Sequence, residues 1–271
     1  MVKRILSRMM LILSVLSIAL SASGQSAGSW DAASEQEILR LLNQERTRRG
    51  LQPLQMESQL ITAARRHSQR MAEQGALSHQ FRGEPDLNAR LAPAGMHFDV
   101  SGQNVAVNAS AAGAHQGLMG SPPHRENILN PRYNTIGIGV LRAGQQIWVT
   151  QDFMGRLPEI SATDAEVQIA RQFNELRRSA RTSTLPVIAN PKLRDLACQM
   201  ARHDSISLAQ AGALPNVARV VTFTVANLAQ MPTYLQNMKT VPASAFSVGA
   251  CYASSSTYSV PVYWIIVATY F

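Results

Sequence analysis

Five of the six histidines in this 271-residue chain fall in its first half, at positions 67, 79, 97, 115 and 124. Two of them stand apart. His124 follows Pro122-Pro123 in GSPPHRENILN, and His79 closes the short run ALSH. Two prolines in series cannot lie in a helix interior and fix the local path of the chain. An imidazole held at such a point can bind a metal, carry a proton or cap a turn. His79 and His124 both follow rigid elements as loop residues, where functional groups concentrate, and they are read as sharing one cleft. His67 falls on the apolar face of a helix and reads as a hydrogen-bonded core residue. His97 and His115 read as surface residues, and Arg125-Glu126 as a solvated pair. The chain carries no HExxH helix and no GxSxG elbow, and no serine or cysteine with a companion base can be singled out as a nucleophile.

The elements that must position these groups follow from periodicity. Ser34-Glu35-Gln36-Glu37 matches a capping box, followed by an apolar stripe at Ile38, Leu39, Leu41 and Leu42, which predicts a helix to about Arg49. A second helix is predicted from near Glu57, with Leu60, Ala64, His67 and Met71 on one face and Gly75 as its stop. A third, weaker helix covers 109–119, and Pro122-Pro123 is expected to end it. Residues 135–142 and 146–153 alternate apolar and polar around a short turn and predict a hairpin.

The order then repeats. LLNQERTRRG at 41–50 is echoed by QFNELRRSAR at 172–181, and LITAARRHSQRMA at 60–72 by LRDLACQMARHDS at 193–205. QGALSH at 74–79 is echoed by AGALPN at 211–216, QNVA at 103–106 by ANLA at 226–229, and the hairpin by VGA at 248–250 and YWII at 263–266. Two tandem copies of one module are predicted, 34–154 and 164–271, joined by a linker at 155–163. On this alignment His79 faces Asn216 and Gln103 faces Ala226, while the His124 segment has no counterpart. The second copy keeps the scaffold and drops the polar groups, which separates site residues from core residues within one sequence.

The blocks LLNQERTRRGLQPL, AARRHSQRMA, LSH, GQNVA, GLMGSPPHRENILNPRYNTIGIGV and IWVTQDF, in this order over about 35–155, resemble the CAP superfamily. That group holds the cysteine-rich secretory proteins, venom antigens and plant pathogenesis-related proteins, and the likeness is greatest to its bacterial secreted, sporulation-associated branch. Residues 165–271 resemble a second, degenerate module. The resemblance implies an α+β fold, a three-layer α/β/α sandwich with a central cleft, here in two tandem copies. It also implies that His79 and His124 are the two cleft histidines, which in some family members hold zinc or another divalent cation with one or two acids. Where the family carries GEN this chain carries GQN, so Gln103, followed by Asn104, takes the place of the cleft glutamate. The second acidic position has no clear equivalent near Leu118; His115 and Glu126 are the nearest substitutes. A neutral amide offers hydrogen bonds and a weak carbonyl donor, and it cannot act as a general base.

Compartment is read from the ends of the composition. Lys3, Arg4 and Arg8 precede an apolar run from Met9 to Leu20 and small residues at 21–24, which predicts a cleaved secretory signal at 1–23 rather than a transmembrane anchor. Its removal would lower the formal net charge from +8 to +5 through the loss of three basic side chains. That balance fits weak attraction to an anionic envelope and, with no run of basic residues, excludes a nucleic-acid track. Cys198 and Cys251, the two cysteines, are expected to form one disulfide in an oxidising compartment, with two buried thiols as the alternative. The function expected is a secreted, non-catalytic cleft-binding module for a lipid, glycan, peptide or divalent metal. The alternatives are a metal-assisted peptidase using His79 and His124, and a structural interaction protein.

Overall fold

The computed structural model of the chain describes residues 28–271 apart from 95, 231, 232 and 259, so the expected signal at 1–23 lies outside the described residues. In chain order the first half holds β1 (Ser29–Trp30), α1 (Ala32–Thr47), β2 (Gln55–Met56), α2 (Ser58–Gln74), α3 (Leu87–Leu91), β3 (Phe98–Asn108), α4 (Ala111–Gly120), α5 (Pro122–Ile128), β4 (Thr135–Ala143) and β5 (Gln146–Arg156). Its sheet runs β1-β4-β5-β3, with β2 added in parallel to β4. The β4–β5 hairpin is antiparallel as its alternation predicts, and β3 lies at the sheet's edge. Ile136, Ile138 and Val140 of β4 and Val149 and Phe153 of β5 pack with Ile38, Leu42, Ala114 and Leu118 of α1 and α4. On the other face α2 lies directly against β4. A Cβ at Gly137 would come within 2.2 Å of the Leu60 backbone, and one at Gly139 within 2.3 Å of the Arg65 nitrogen. The fold is mixed α+β with helices on both faces of a sheet.

Three local expectations are corrected here. Asp31 is the N-cap of α1, accepting from the Ser34 N–H at 2.9 Å, so no capping box forms at Ser34. Glu35 is instead buried, taking the Arg65 guanidinium at 2.8 Å and the Val140 N–H at 3.2 Å. Pro122 and Pro123 open α5 rather than only ending α4, because the first helical positions need no N–H. His115 is buried at 8% exposure where α4 meets α1, and His97 stacks on Tyr252 at 3.6 Å; neither is a surface residue.

Arg46 ties α1 to the end of α5 and the chain that follows it. It is 1% exposed and donates to the carbonyls of Gln52 (2.8 Å), Ile128 (2.8 Å), Asn130 (2.9 Å) and Tyr133 (3.1 Å). Four carbonyl dipoles replace the carboxylate that a buried guanidinium ordinarily takes.

The second half holds α6 (Ala162–Ser179), α7 (Pro191–His203), α8 (Ala209–Gly212), β6 (Val217–Val225), β7 (Ala245–Ala253) and β8 (Val262–Tyr270), with the sheet order β6-β8-β7. β5 runs on to Arg156 and α6 starts at Ala162, so only 157–161 connects the halves as irregular chain. Several first-half contacts recur. Asn174 bonds Leu185 through both backbone groups as Asn43 bonds Leu54. Arg177 is buried and donates to Ser183 and Val241 carbonyls. Glu166 takes Arg194 and the Ala250 N–H as Glu35 takes Arg65 and the Val140 N–H.

The same contacts correct the alignment read from sequence. Arg194 matches Arg65, and Asp204 (φ 48°) ends α7 as Gly75 (φ 61°) ends α2. Leu193 therefore does not match Leu60: the helices align one turn away, and α7 lacks the first turn of α2. A slip of four residues keeps the same helix face, so apolar periodicity alone cannot detect it. The strand registers also move the counterpart of Gln103. Trp148 faces Leu141 as Trp264 faces Cys251, which puts Ala268 at the place of Asp152, and Ala268 pairs with Val220. Ala226 lies past the end of β6. Cys198 and Cys251 form a disulfide, with Cα atoms 5.1 Å apart, that fastens α7 to β7.

Candidate functional site

His79 and His124 meet over the edge strand β3, one from the loop after α2 and one from the first turn of α5. Their ring centroids are 6.3 Å apart, nearly stacked at 28°. His79 is exposed and His124 is half-buried. Against His79 lies Gln103 of β3, 7% exposed. Its Nε2 donates to Asp152 Oδ1 at 2.9 Å, which leaves its Oε1 to face His79 Nδ1 at 3.1 Å. An amide pinned by an acid on one side offers only an acceptor on the other. His79 Nδ1 therefore donates to this oxygen. His124 Nδ1 lies 2.9 Å from the Ser121 hydroxyl, and burial, then the neighbouring His79, hold this imidazole below its ordinary range, hence neutral.

Asn104, expected in the cleft, is not there. It is fully buried and, as the neighbour of Gln103 on a strand, points to the opposite face of the sheet. Its Nδ2 donates to the His124 carbonyl (3.0 Å) and to Gln151 Oε1 (3.0 Å), and its Oδ1 accepts from Asn127 (2.9 Å). Asn104 positions α5, and so His124, without reaching a ligand. Of the expected cleft residues, His79 is in contact with Gln103 and lies ring against ring with His124.

Asp152 is the residue that sequence reasoning missed. It is 2% exposed, and burial pushes its carboxyl up to about 7, against the pull of the Gln103 amide and Arg90. Arg90 belongs to a neighbouring cluster: it bonds the His79 carbonyl at 2.8 Å, Glu84 at 3.3 Å and His67. His67 lies in the core as expected, its Nε2 donating to the Ser78 carbonyl at 2.8 Å. The ALSH turn is thus braced from below by α2 and α3. A signal for Asp152 was present in VTQDF, where an acid takes an inward position of an alternating strand.

The residues do not fit a resident metal. Two imidazoles face the cleft; the facing amide oxygen is engaged by His79, and the only acid behind it is buried and bound to that amide. Among the described residues no group of three histidine, cysteine or acidic side chains is placed to hold an ion. A catalytic zinc site needs three protein ligands and a structural one four. His115 and Glu126 do not complete the set either: His115 is buried between α1 and α4.

Residues 39–153 match the model of the cysteine-rich secretory protein family. They form a CAP domain. Over 132 residues the chain is 34% identical to uncharacterized protein YkwD of Bacillus subtilis, a match covering 48% of this chain and 51% of YkwD. It is 33% identical over 124 residues to the uncharacterized membrane protein YlbC of the same organism, covering 45% of this chain and 35% of YlbC. The chain thus spans about half of one curated relative and about a third of the other. Among solved structures, an extracellular protein containing an SCP domain from Bacillus anthracis shares 30% identity at a TM-score of 0.43, over 46% of this chain and 41% of that one. Na-ASP-1, at 9% identity, aligns with a TM-score of 0.51 over 93% of this chain and 91% of its own. That likeness concerns the fold alone, and it extends beyond the CAP domain into the second half. Among the described residues no helix is long and apolar enough to cross a membrane.

Proposed function

We propose that the CAP domain is an extracellular binding module, not a hydrolase, and that its cleft takes a hydroxyl-bearing ligand of the glycan class. The observation that carries this reading is the Gln103 amide held between Asp152 and His79. It puts a neutral amide where a cleft carboxylate would stand and occupies that amide on both sides, with His79 and with Asp152. Two imidazoles with ring centroids 6.3 Å apart, each able to donate or accept a hydrogen bond, suit the hydroxyls of a glycan, which do both. Export is supported by the basic and apolar leader, by the disulfide, and by the relative from Bacillus anthracis described as extracellular. Lipid, peptide and metal ligands are less well served by this donor pattern.

We also infer that the second half is a degenerate copy of the first, joined through 157–161. Its support is the recurrence of the Asn43, Arg46 and Glu35 contacts at Asn174, Arg177 and Glu166. In that copy Val220 and Ala268 replace Gln103 and Asp152, so the glycan cleft belongs to the first copy alone.

The test is binding to an immobilised panel of neutral and acidic glycans, wild type against His79→Ala with His124→Ala. Saturable binding lost in the double variant is expected. Unchanged binding in that variant would remove the cleft from the account, and peptide cleavage that appears with added zinc and vanishes in the double variant would replace it with the hydrolase reading.

A further inference from the structure

The two halves meet at a histidine that the cleft does not use. His97 stands immediately before β3, in the first half, yet its ring stacks on Tyr252 of β7 with centroids 3.6 Å apart. It meets Tyr263 of β8 nearly at right angles, at 6.2 Å, and the two tyrosines touch each other at 4.7 Å. Three rings thus form one aromatic cluster across the boundary. The Leu157 N–H donates to the His97 carbonyl at 2.7 Å, which ties the start of the connecting segment to the same point. Asn227 Nδ2 donates to Asp99 at 3.0 Å, and Val260 rests against the cluster of Leu91, Met96 and Phe98. Among the described residues no helix or strand of one half lies along one of the other. A boundary held by separate side chains permits relative motion.

The aromatic contact is incomplete in its hydrogen bonds. His97 Nδ1 and the Tyr252 hydroxyl are both sealed from solvent, and neither has a hydrogen-bond partner among the described residues. Buried polar atoms are nearly always paired, and one left unpaired opposes the contact that buries it. A neutral imidazole can meet this place with a bare lone pair on Nδ1. An imidazolium cannot, because both of its nitrogens carry protons and one N–H would be sealed without an acceptor.

The groups around the ring do not relieve this. β7 and β8 contribute the titratable Tyr252 and Tyr263, and the connecting segment contributes Glu159, which is exposed. Burial holds His97 below its ordinary 6.5, against the pull of the Glu159 carboxylate. Attraction of a cation to the Tyr252 face works in the same direction as Glu159, and neither supplies an acceptor at Nδ1. Burial pushes both tyrosines up, so they remain neutral hydroxyls wherever histidine titrates.

We propose that the His97–Tyr252 stack is an acid-released latch, in which protonation of His97 parts the second half from the first about 157–161. Parting returns His97 Nδ1 and the Tyr252 hydroxyl to water together. The closed form prefers the neutral ring, so closure is strongest above 6.5 and weakens as pH falls from there toward the lower value of the docked ring. Between those values the closed-to-open ratio drops by up to about tenfold per pH unit, the limit for one proton. Asp152 titrates near 7 with the opposite sign, favouring the native state on the acid side, so the two groups are separable.

The test is small-angle X-ray scattering with amide exchange on the full chain between pH 7.5 and pH 5, while far-UV circular dichroism confirms that both halves stay folded. Wild type should show a reversible rise in radius of gyration on acidification. Its Leu157 amide should lose protection by about tenfold relative to His97→Phe at the same pH. His97→Phe keeps a ring on Tyr252 and takes no proton, so it should stay closed throughout. Tyr252→Phe removes the unpaired hydroxyl and should move the opening to lower pH. Asn227→Ala removes the contact with Asp99 and should move it to higher pH, while Asp152→Asn should leave its midpoint in place. The proposal fails if wild type keeps one radius across the range, if His97→Phe opens as wild type does, or if the midpoint follows Asp152→Asn. Should His97→Phe not fold, an unmoved midpoint in both Tyr252→Phe and Asn227→Ala would overturn it equally.

Discussion

Asp152 and His79 never touch, yet the carboxylate of one sets the proton position of the other through the single amide of Gln103. The acid that a two-histidine cleft would ordinarily present to a ligand sits here one residue deeper, behind a neutral group. Several measurable consequences follow from that displacement and from the contacts that hold it.

Asp152 titrates about three units above an ordinary aspartate, near 7. Its folded pKa exceeds the unfolded value of about 3.9, so between pH ~4 and ~7 the native state holds a proton that the unfolded chain has lost. Stability from this group therefore falls as pH rises through that window, by a total of about 4 kcal/mol, and is flat above it. Asp152→Asn removes the slope. Urea unfolding at pH 4 and pH 8 should show the variant gaining on wild type by several kcal/mol across the interval; parallel curves would disprove a buried, proton-holding carboxyl.

Gln103→Glu would restore an acid to the cleft at a position 7% exposed and directly against Asp152. Two adjacent carboxyls in a buried setting repel, so a loss of about 2–3 kcal/mol at pH 7.5 is expected, shrinking at pH 5. The variant should also gain a zinc-dependent rise in Tm that wild type lacks, since its donor set then reaches three. A zinc response of equal size in wild type would contradict the donor count.

Arg46 satisfies four carbonyls around the base of α5. Arg46→Met keeps much of the volume and strands those acceptors, so a loss of about 3 kcal/mol or more is expected. Amide exchange should quicken first at 124–133, the segment it ties down. Uniform exchange across the first half would mean that Arg46 supports the core generally and not that segment.

The Cys198–Cys251 bridge closes a loop with a sequence separation of 53. Replacing both by serine should cost about 4 kcal/mol on the chain-entropy account. The loss should be confined to the second half, so Trp264 fluorescence would report unfolding at lower urea while far-UV signal from the first half persists. A single shifted transition for both would show that the halves unfold as one unit.

Much of the scaffold could be read from residue order. The two long helices and the hairpin follow from 3.6- and 2-residue periods and from turn residues, whereas the pairing of His79 with His124 rests on loop placement, on the missing counterparts in the second half and on the resemblance to the CAP superfamily. Side-chain facing at the edge strand did not follow, because adjacent positions on a strand look alike in a motif. Gln103 and Asn104 were read together as cleft residues, yet they point to opposite faces. Asp152 was hidden because its role depends on the pairing of β3 with β5, which brings it opposite Gln103, 49 residues away in the chain. The one-turn slip between α2 and α7 escaped for a similar reason: it changes which residues touch β4 and β7 without changing the apolar stripe.

The edge strand has one more property. The outward carbonyls of Ser101 and Gln103 do not face open water, since Tyr133 Oη donates to the first at 3.0 Å and Asn127 Nδ2 to the second at 3.2 Å. An uncovered strand edge invites another chain to pair with it. The segment that aims His124 therefore also acts as a guard against self-association: a protein with GSPPHREN excised should form intermolecular β-structure, so that its lost binding would be accompanied by a tendency to aggregate.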